Sequence, residues 1–101
     1  MKVAFSDKFL LRVESLSGKI LKSVLLSIKE VEAANSISEI TNCKKLNGYK
    51  NIYRIRIGDY RAIFLFHIRI EKNTVFFEFL VPRGQVYDKN MKQKLRRIDK
   101  S

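Results

Sequence analysis

The chain has 101 residues, 46% of them hydrophobic, which is enough to bury one core and leaves no room for a second domain. Twenty-one Lys and Arg against ten Asp and Glu give a net charge of +11. The excess is uneven: residues 1–43 carry a net +1 and residues 44–101 a net +10. A basic field of this kind attracts polyanions, so nucleic acid, an anionic membrane surface and an acidic protein are the candidate partners.

No stretch approaches the roughly 20 apolar residues that span a bilayer, and the N-terminus Met1-Lys2-Val3-Ala4-Phe5-Ser6-Asp7 lacks a signal-peptide core, so a cytoplasmic location and no membrane partner are expected. Cys43 and His67 are the single cysteine and the single histidine. Neither an internal disulfide nor a zinc site can be built from them, and no metal or cofactor is expected. With no repeat, linker or low-complexity run, residues 1–101 read as one domain.

In chain order, residues 2 to 5 alternate polar and apolar as a short strand does, and Ser6 and Asp7 are suited to cap a helix. Phe9, Leu10, Val13 and Leu16 recur at helical spacing. After Gly18 a second helical run carries Ile20, Leu21, Val24, Leu25, Ile28 and Val31, until Asn35 and Ser36 stop it. Ile37, Ile40 and Leu46 suggest a turn of helix or an ordered loop, and residues 44 to 51 read as loop.

The period then changes from 3.6 to 2. Tyr53, Ile55 and Ile57 alternate with Arg54 and Arg56, and a second alternating run starts at Tyr60. Gly58-Asp59 between them is a two-residue hairpin loop. Ile57 is therefore expected opposite Tyr60, Arg56 opposite Arg61, and Arg54 opposite Ile63. A third run, Thr74 to Val81, follows Glu71-Lys72-Asn73, where Asn tolerates the left-handed backbone that a three-residue loop needs. That loop would set Ile70 against Thr74 and Arg61 against Arg83. Pro82 ends the meander, and residues 88 to 98 form a basic C-terminal helix with only Met91, Leu95 and Ile98 apolar.

Side chains alternate across a strand, so Arg54, Arg56 and Arg61 share one face while Tyr53, Ile55, Ile57, Tyr60, Ala62 and Phe64 share the other. The predicted architecture is α+β: two N-terminal helices packed on the apolar face of an antiparallel sheet whose other face is basic and concave. Opposed like charges destabilise a sheet by ~0.2 to 1 kcal/mol per pair. An Arg56/Arg61 pairing thus has no structural benefit, and local conflicts of that kind are expected at functional sites. The plainer account is that these arginines only solvate an open face. Their clustering favours phosphate, because the guanidinium donates two hydrogen bonds at once and keeps its charge.

The segment Leu46-Asn47-Gly48-Tyr49-Lys50-Asn51-Ile52-Tyr53-Arg54-Ile55-Arg56-Ile57-Gly58-Asp59-Tyr60-Arg61-Ala62-Ile63-Phe64, followed by Arg83-Gly84-Gln85-Val86-Tyr87, resembles the signature of the RelE/ParE superfamily of bacterial toxins, and of its RelE-type members in particular. The resemblance in element order covers nearly the whole chain. It implies the toxin of a toxin–antitoxin pair, a metal-independent endoribonuclease that cleaves mRNA on the ribosome through attack of a 2'-hydroxyl on the adjacent phosphate. The implied partners are an acidic antitoxin, the ribosome and mRNA. Arg61, Arg83 and Tyr87 are the implied catalytic positions, the arginines on the phosphate and Tyr87 stacking on or orienting a nucleotide. Arg54, Arg56, Lys50 and Lys89 are the expected RNA-binding set. ParE-type relatives share the fold and act on DNA gyrase, so a gyrase-directed or catalytically silent protein is the alternative.

The chain departs from the RelE pattern in two places. Arg54 and Arg56 stand where some members have lysines, and a guanidinium with a pKa above ~12 does not abstract protons. Pro82 stands where many members have His. His67 has the side-chain chemistry and strand parity of a substitute base, although a partly exposed structural histidine is the expected role. It lies six residues from Arg61, however, roughly 20 Å at ~3.3 Å per residue.

Overall fold

A computed structural model describes residues 1–66 and 73–99. Its elements in chain order are β1 (Lys2–Phe5), α1 (Asp7–Glu14), α2 (Gly18–Ala33), a 3-10 turn (Ile37–Glu39), β2 (Cys43–Lys45), β3 (Ile52–Ile57), β4 (Tyr60–Leu65), β5 (Thr74–Pro82), a second 3-10 turn (Arg83–Gln85) and α3 (Lys89–Ile98). The sheet order is β1-β5-β4-β3-β2. The β2–β5 meander is antiparallel, while β1 lies parallel to β5, with Val3 opposite Val75.

Local chemistry accounts for most of the boundaries. Ser6 caps α1, its hydroxyl oxygen accepting from the Phe9 N–H at 3.1 Å, and Asp88 caps α3 by accepting from the Met91 N–H at 2.8 Å. The Gly58-Asp59 loop turns with Gly58 at φ +57°, and Asn73 precedes β5 at φ +58°, both in the left-handed region. The β3–β4 register is the expected one: Ile57 faces Tyr60, Arg56 faces Arg61 and Arg54 faces Ile63.

Three features correct the sequence reading. Lys44 and Lys45, read as the start of a loop, form with Cys43 an edge strand on β3, with Lys44 opposite Arg54. The β4–β5 register differs from the expected one on both sides of an irregularity between Ile63 and Phe64, so Arg61 faces Val81 rather than Arg83, and Arg83 lies just past the strand in the 3-10 turn. The backbone N–H of Arg83 donates to the Asp59 carbonyl at 2.8 Å, continuing the ladder one step beyond the strand. The expected Ile70–Thr74 pairing and His67 lie outside the described residues.

The third correction concerns the core. Apolar residues form two clusters, one on each side of the sheet, rather than the single core that composition suggests. On one side α1 and α2 cover Ile55, Ile57, Ala62, Phe64, Val75 and Phe77. On the other, Met91 and Leu95 of α3 pack with Ile52, Ile63, Val81 and Val86. This is why β5 reads as a nearly continuous apolar run: its residues are buried from both faces. The carboxylate of Asp99, at the end of α3, accepts from the N–H groups of Lys50 and Asn51 at 2.8 and 2.7 Å. That contact fastens α3 to the chain entering β3. The basic face is therefore open over only part of its area. Among the described residues no helix is long and apolar enough to cross a membrane.

Candidate functional site

Beyond the edge of α3 the sheet carries a cleft of about 390 Å³ lined by Leu46, Arg54, Arg61, Arg83, Gly84, Val86 and Tyr87. Its cations come from three segments: Arg54 from β3, Arg61 from β4, and Arg83 from the turn after β5. Buried Val86 packs into the cluster beneath α3 and anchors that turn, so the neighbouring Tyr87 is left 55% exposed at the cleft. Tyr87 is thus a wall of the cleft, and the packing role falls to Val86. Tyr53 instead stacks on Phe64 at 5.2 Å on the helical face, and Tyr49 packs against the cluster under α3.

Among the described residues that line the cleft, Arg61 is held by two backbone carbonyls. Its Nη1 donates to the carbonyls of Gly58 and Tyr60, each at 2.9 Å, which holds the guanidinium over the hairpin turn. Partial burial lowers its pKa below the ordinary guanidinium value, and the charges of Arg54, Arg56 and Arg83 lower it further, against a smaller opposing effect of Asp59. The guanidinium remains charged at physiological pH. The part of the shift that comes from the three neighbouring arginines is positive crowding, which an arriving phosphate would relieve.

Arg54 and Arg56 are organised by a residue that sequence reasoning missed. Asn42 sits at φ +57°, in the left-handed region, immediately before β2. Its carbonyl accepts from the Arg56 backbone N–H at 3.0 Å and from Arg54 Nη1 at 2.6 Å. Its side-chain Oδ1 accepts from Arg56 Nη2 at 3.3 Å. The only sequence signal for this role is the tolerance of Asn for left-handed backbone.

The seven site positions expected from sequence are not all brought together. Arg54, Arg61, Arg83 and Tyr87 line the one cleft. Arg56, although opposite Arg61 in the ladder, borders a separate recess with Ser27, Glu30, Asn42 and Gly58. Exposed Lys50 and Lys89 line neither, Lys50 lying in the loop fastened by Asp99 and Lys89 opening α3. Lys44 and Lys45, not singled out from sequence, border a second recess that adjoins the cleft through Leu46, Arg54 and Tyr87.

No family model matches the chain. It is 35% identical over 89 residues to the toxin RelE3 of Methanocaldococcus jannaschii, covering 87% of this chain and 97% of that protein. A crystal structure of the RelB–RelE antitoxin–toxin complex from Methanococcus jannaschii contains a chain that matches at TM-score 0.66 and 30% identity, over 85% of this chain and 96% of that one. The archaeal RelE–RelB complex from Pyrococcus horikoshii OT3 matches at TM-score 0.67 and 24% identity, over 83% and 96%, a likeness that speaks to fold. Near-full coverage of both chains at this identity, joined to the arginine hairpin and the fold, makes the chain a member of the RelE toxin family.

Proposed function

We propose that the protein is the toxin of a toxin–antitoxin pair and acts as a metal-independent, ribosome-dependent mRNA endoribonuclease. The observation that carries this reading is the convergence of Arg54, Arg61 and Arg83 on one cleft walled by Tyr87. In the proposed reaction the 2'-oxygen of one nucleotide bonds to the adjacent phosphorus, the bond to the 5'-oxygen breaks, and the proton lost by the first oxygen is balanced by one gained by the second. The phosphoryl group carries extra negative charge in between. In this reading Arg61, already fixed by two carbonyls, and Arg83 bear on that charge, and for Arg61 no reorganisation is needed, which is where electrostatic catalysis is most effective. Tyr87 supplies a face on which a base stacks.

Guanidinium groups do not move protons in this pH range, and among the described residues the lining of the cleft offers neither histidine nor carboxylate. Rate enhancement in this site is therefore assigned to positioning and charge stabilisation. The partner proposed is an acidic antitoxin, by analogy with the RelB–RelE complexes and by complementarity with the +11 charge. Residues 1–101 are proposed to act as one domain, in the cytoplasm.

Primer extension on translated mRNA after brief expression tests the reaction. Cuts phased with the ribosome are expected, and inhibition of DNA supercoiling without them would transfer the protein to the gyrase-directed class.

A further inference from the structure

The cleft does not end at Arg54. A second recess of about 270 Å³ continues from it along β2, sharing Leu46, Arg54 and Tyr87 and adding Lys44, Lys45 and Asn47. Lys44 lies directly opposite Arg54, and strand alternation puts its side chain on the same face as Arg54 and Arg61. That face therefore carries two like-charge cross-strand pairs side by side, Lys44 with Arg54 and Arg56 with Arg61. Each pair is unfavourable on its own. Lys45, the next residue, pairs with Tyr53, and the same alternation assigns it to the helical face although it borders the recess.

We propose that Lys44 forms a second phosphate subsite, holding the phosphate that flanks the one bound among Arg54, Arg61 and Arg83. Tyr87 lines both recesses, so the base between the two phosphates stacks there. The ligand class is single-stranded RNA of more than two nucleotides, running from the turn after β5 across Tyr87 to the edge strand β2. Lysine suits this position because the flanking phosphate needs a point charge and does not pass through the transition state. The inference rests on the RNA-binding reading of the cleft and adds the direction of the strand across it.

The test is fluorescence titration of the full chain with 2'-O-methyl oligouridylates of two and six nucleotides, which cannot be cut, across a series of salt concentrations. Each phosphate neutralised on a single strand contributes about −0.7 to the slope of log affinity against log salt. Lys44→Ala is expected to make the hexanucleotide slope shallower by about 0.7 and to shrink the advantage of the hexanucleotide over the dinucleotide by about fivefold at low salt. Lys45→Ala removes the same charge from the same strand and is expected to change the slope by less than half as much. Equal effects of the two substitutions would mean a diffuse field, and no effect of Lys44→Ala would likewise remove the subsite while leaving the cleft reading intact. Failure of the wild-type chain to bind either oligonucleotide at low salt would overturn the cleft reading itself. Lys44 is exposed on an edge strand, so the substitution leaves the folded core untouched, and unchanged circular dichroism checks this.

Discussion

Arg56 and Arg61 stand directly opposite each other in the β3–β4 ladder, yet only Arg61 enters the cleft with Arg54 and Arg83. The hairpin thus sets two guanidinium groups against one another and aims them at different recesses, so that Arg61 is crowded by charge and still available to a ligand. Substitution of Arg61 separates the catalytic and the structural consequences of that pairing.

Arg61→Ala is expected to lower mRNA cleavage by about a hundredfold or more, since loss of one preorganised donor to a transition-state charge costs ~2.7 to 4 kcal/mol. Stability moves little. Relief of the Arg56 contact gains ~0.2 to 1 kcal/mol, and loss of the bonds to Gly58 and Tyr60 costs a similar amount. A melting temperature within a few degrees of wild type is the expected result. Arg61→Lys recovers part of the rate, because lysine keeps the charge without the two-pronged geometry. Wild-type cleavage by Arg61→Ala on programmed ribosomes would reduce the cluster to a docking surface.

Asn42 gives a second separable case. Asn42→Gly keeps the left-handed backbone, and with it the carbonyl that receives Arg54 and the Arg56 N–H, while removing Oδ1. Asn42→Ala strains the same backbone by about 1 kcal/mol, because a Cβ disfavours φ +57°. Cleavage is expected to fall several-fold in the alanine variant and to be largely retained in the glycine variant. Identical losses in both would place the function of Asn42 in its side-chain oxygen alone.

The hairpin was the most legible part of the chain because a two-residue Gly-X loop leaves one register, and that register places Arg54, Arg56 and Arg61. The position of Arg83 was not legible. It depends on the β4–β5 register, which departs from that of a three-residue loop already at Leu65 and Phe76 and changes again between Ile63 and Phe64, and the even alternation of those strands announces neither. Ile63 did carry a signal: an apolar residue on the arginine face implies that something covers that face, and α3 does so. Strand β2 was hidden because Cys43-Lys44-Lys45 has no apolar alternation; its pairing is imposed by β3 and by the turn at Asn42. Pairing of β1 with β5 joins segments some seventy residues apart, and nothing local in either specifies it.

Cys43 tests the packing of that hidden strand. Burial, together with the nearby Glu30 carboxylate and against the pull of Arg54, pushes its thiol up to about 11. A free cysteine has a pKa near 8.5, so at pH 8 the thiolate population in the folded protein is lower by about two orders of magnitude. Alkylation by iodoacetamide at pH 8 is expected to be slow in the native state, and to reach the ordinary thiol rate in denaturant. The rate should rise with pH up to about 11 before levelling. Rapid native-state labelling at pH 8 would show that β2 opens from β3.

Leu95 connects the scaffold to the site. It is wholly buried in the cluster that includes Val86 and Val81, so α3 holds down the turn from which Arg83 and Tyr87 project. Leu95→Ala is expected to destabilise the fold by ~2 to 5 kcal/mol, the range for emptying a packed leucine site. Stability alone does not test the coupling, so the informative comparison is with Val24→Ala. Val24 is equally buried, but it lies on α2 in the cluster against the opposite face of the sheet. At a temperature where both variants remain folded by circular dichroism, Leu95→Ala should lose cleavage rate out of proportion to its stability loss, because the Val86 anchor loosens and Tyr87 and Arg83 lose their fixed positions. Val24→Ala should keep its rate under the same conditions. If instead the two variants lose activity only as they unfold, α3 contributes to the fold and not to the geometry of the cleft. A loss confined to Leu95→Ala, together with a weaker response to Tyr87→Ala in that background than in wild type, would place the control of the site in the helix that closes the sheet's second face.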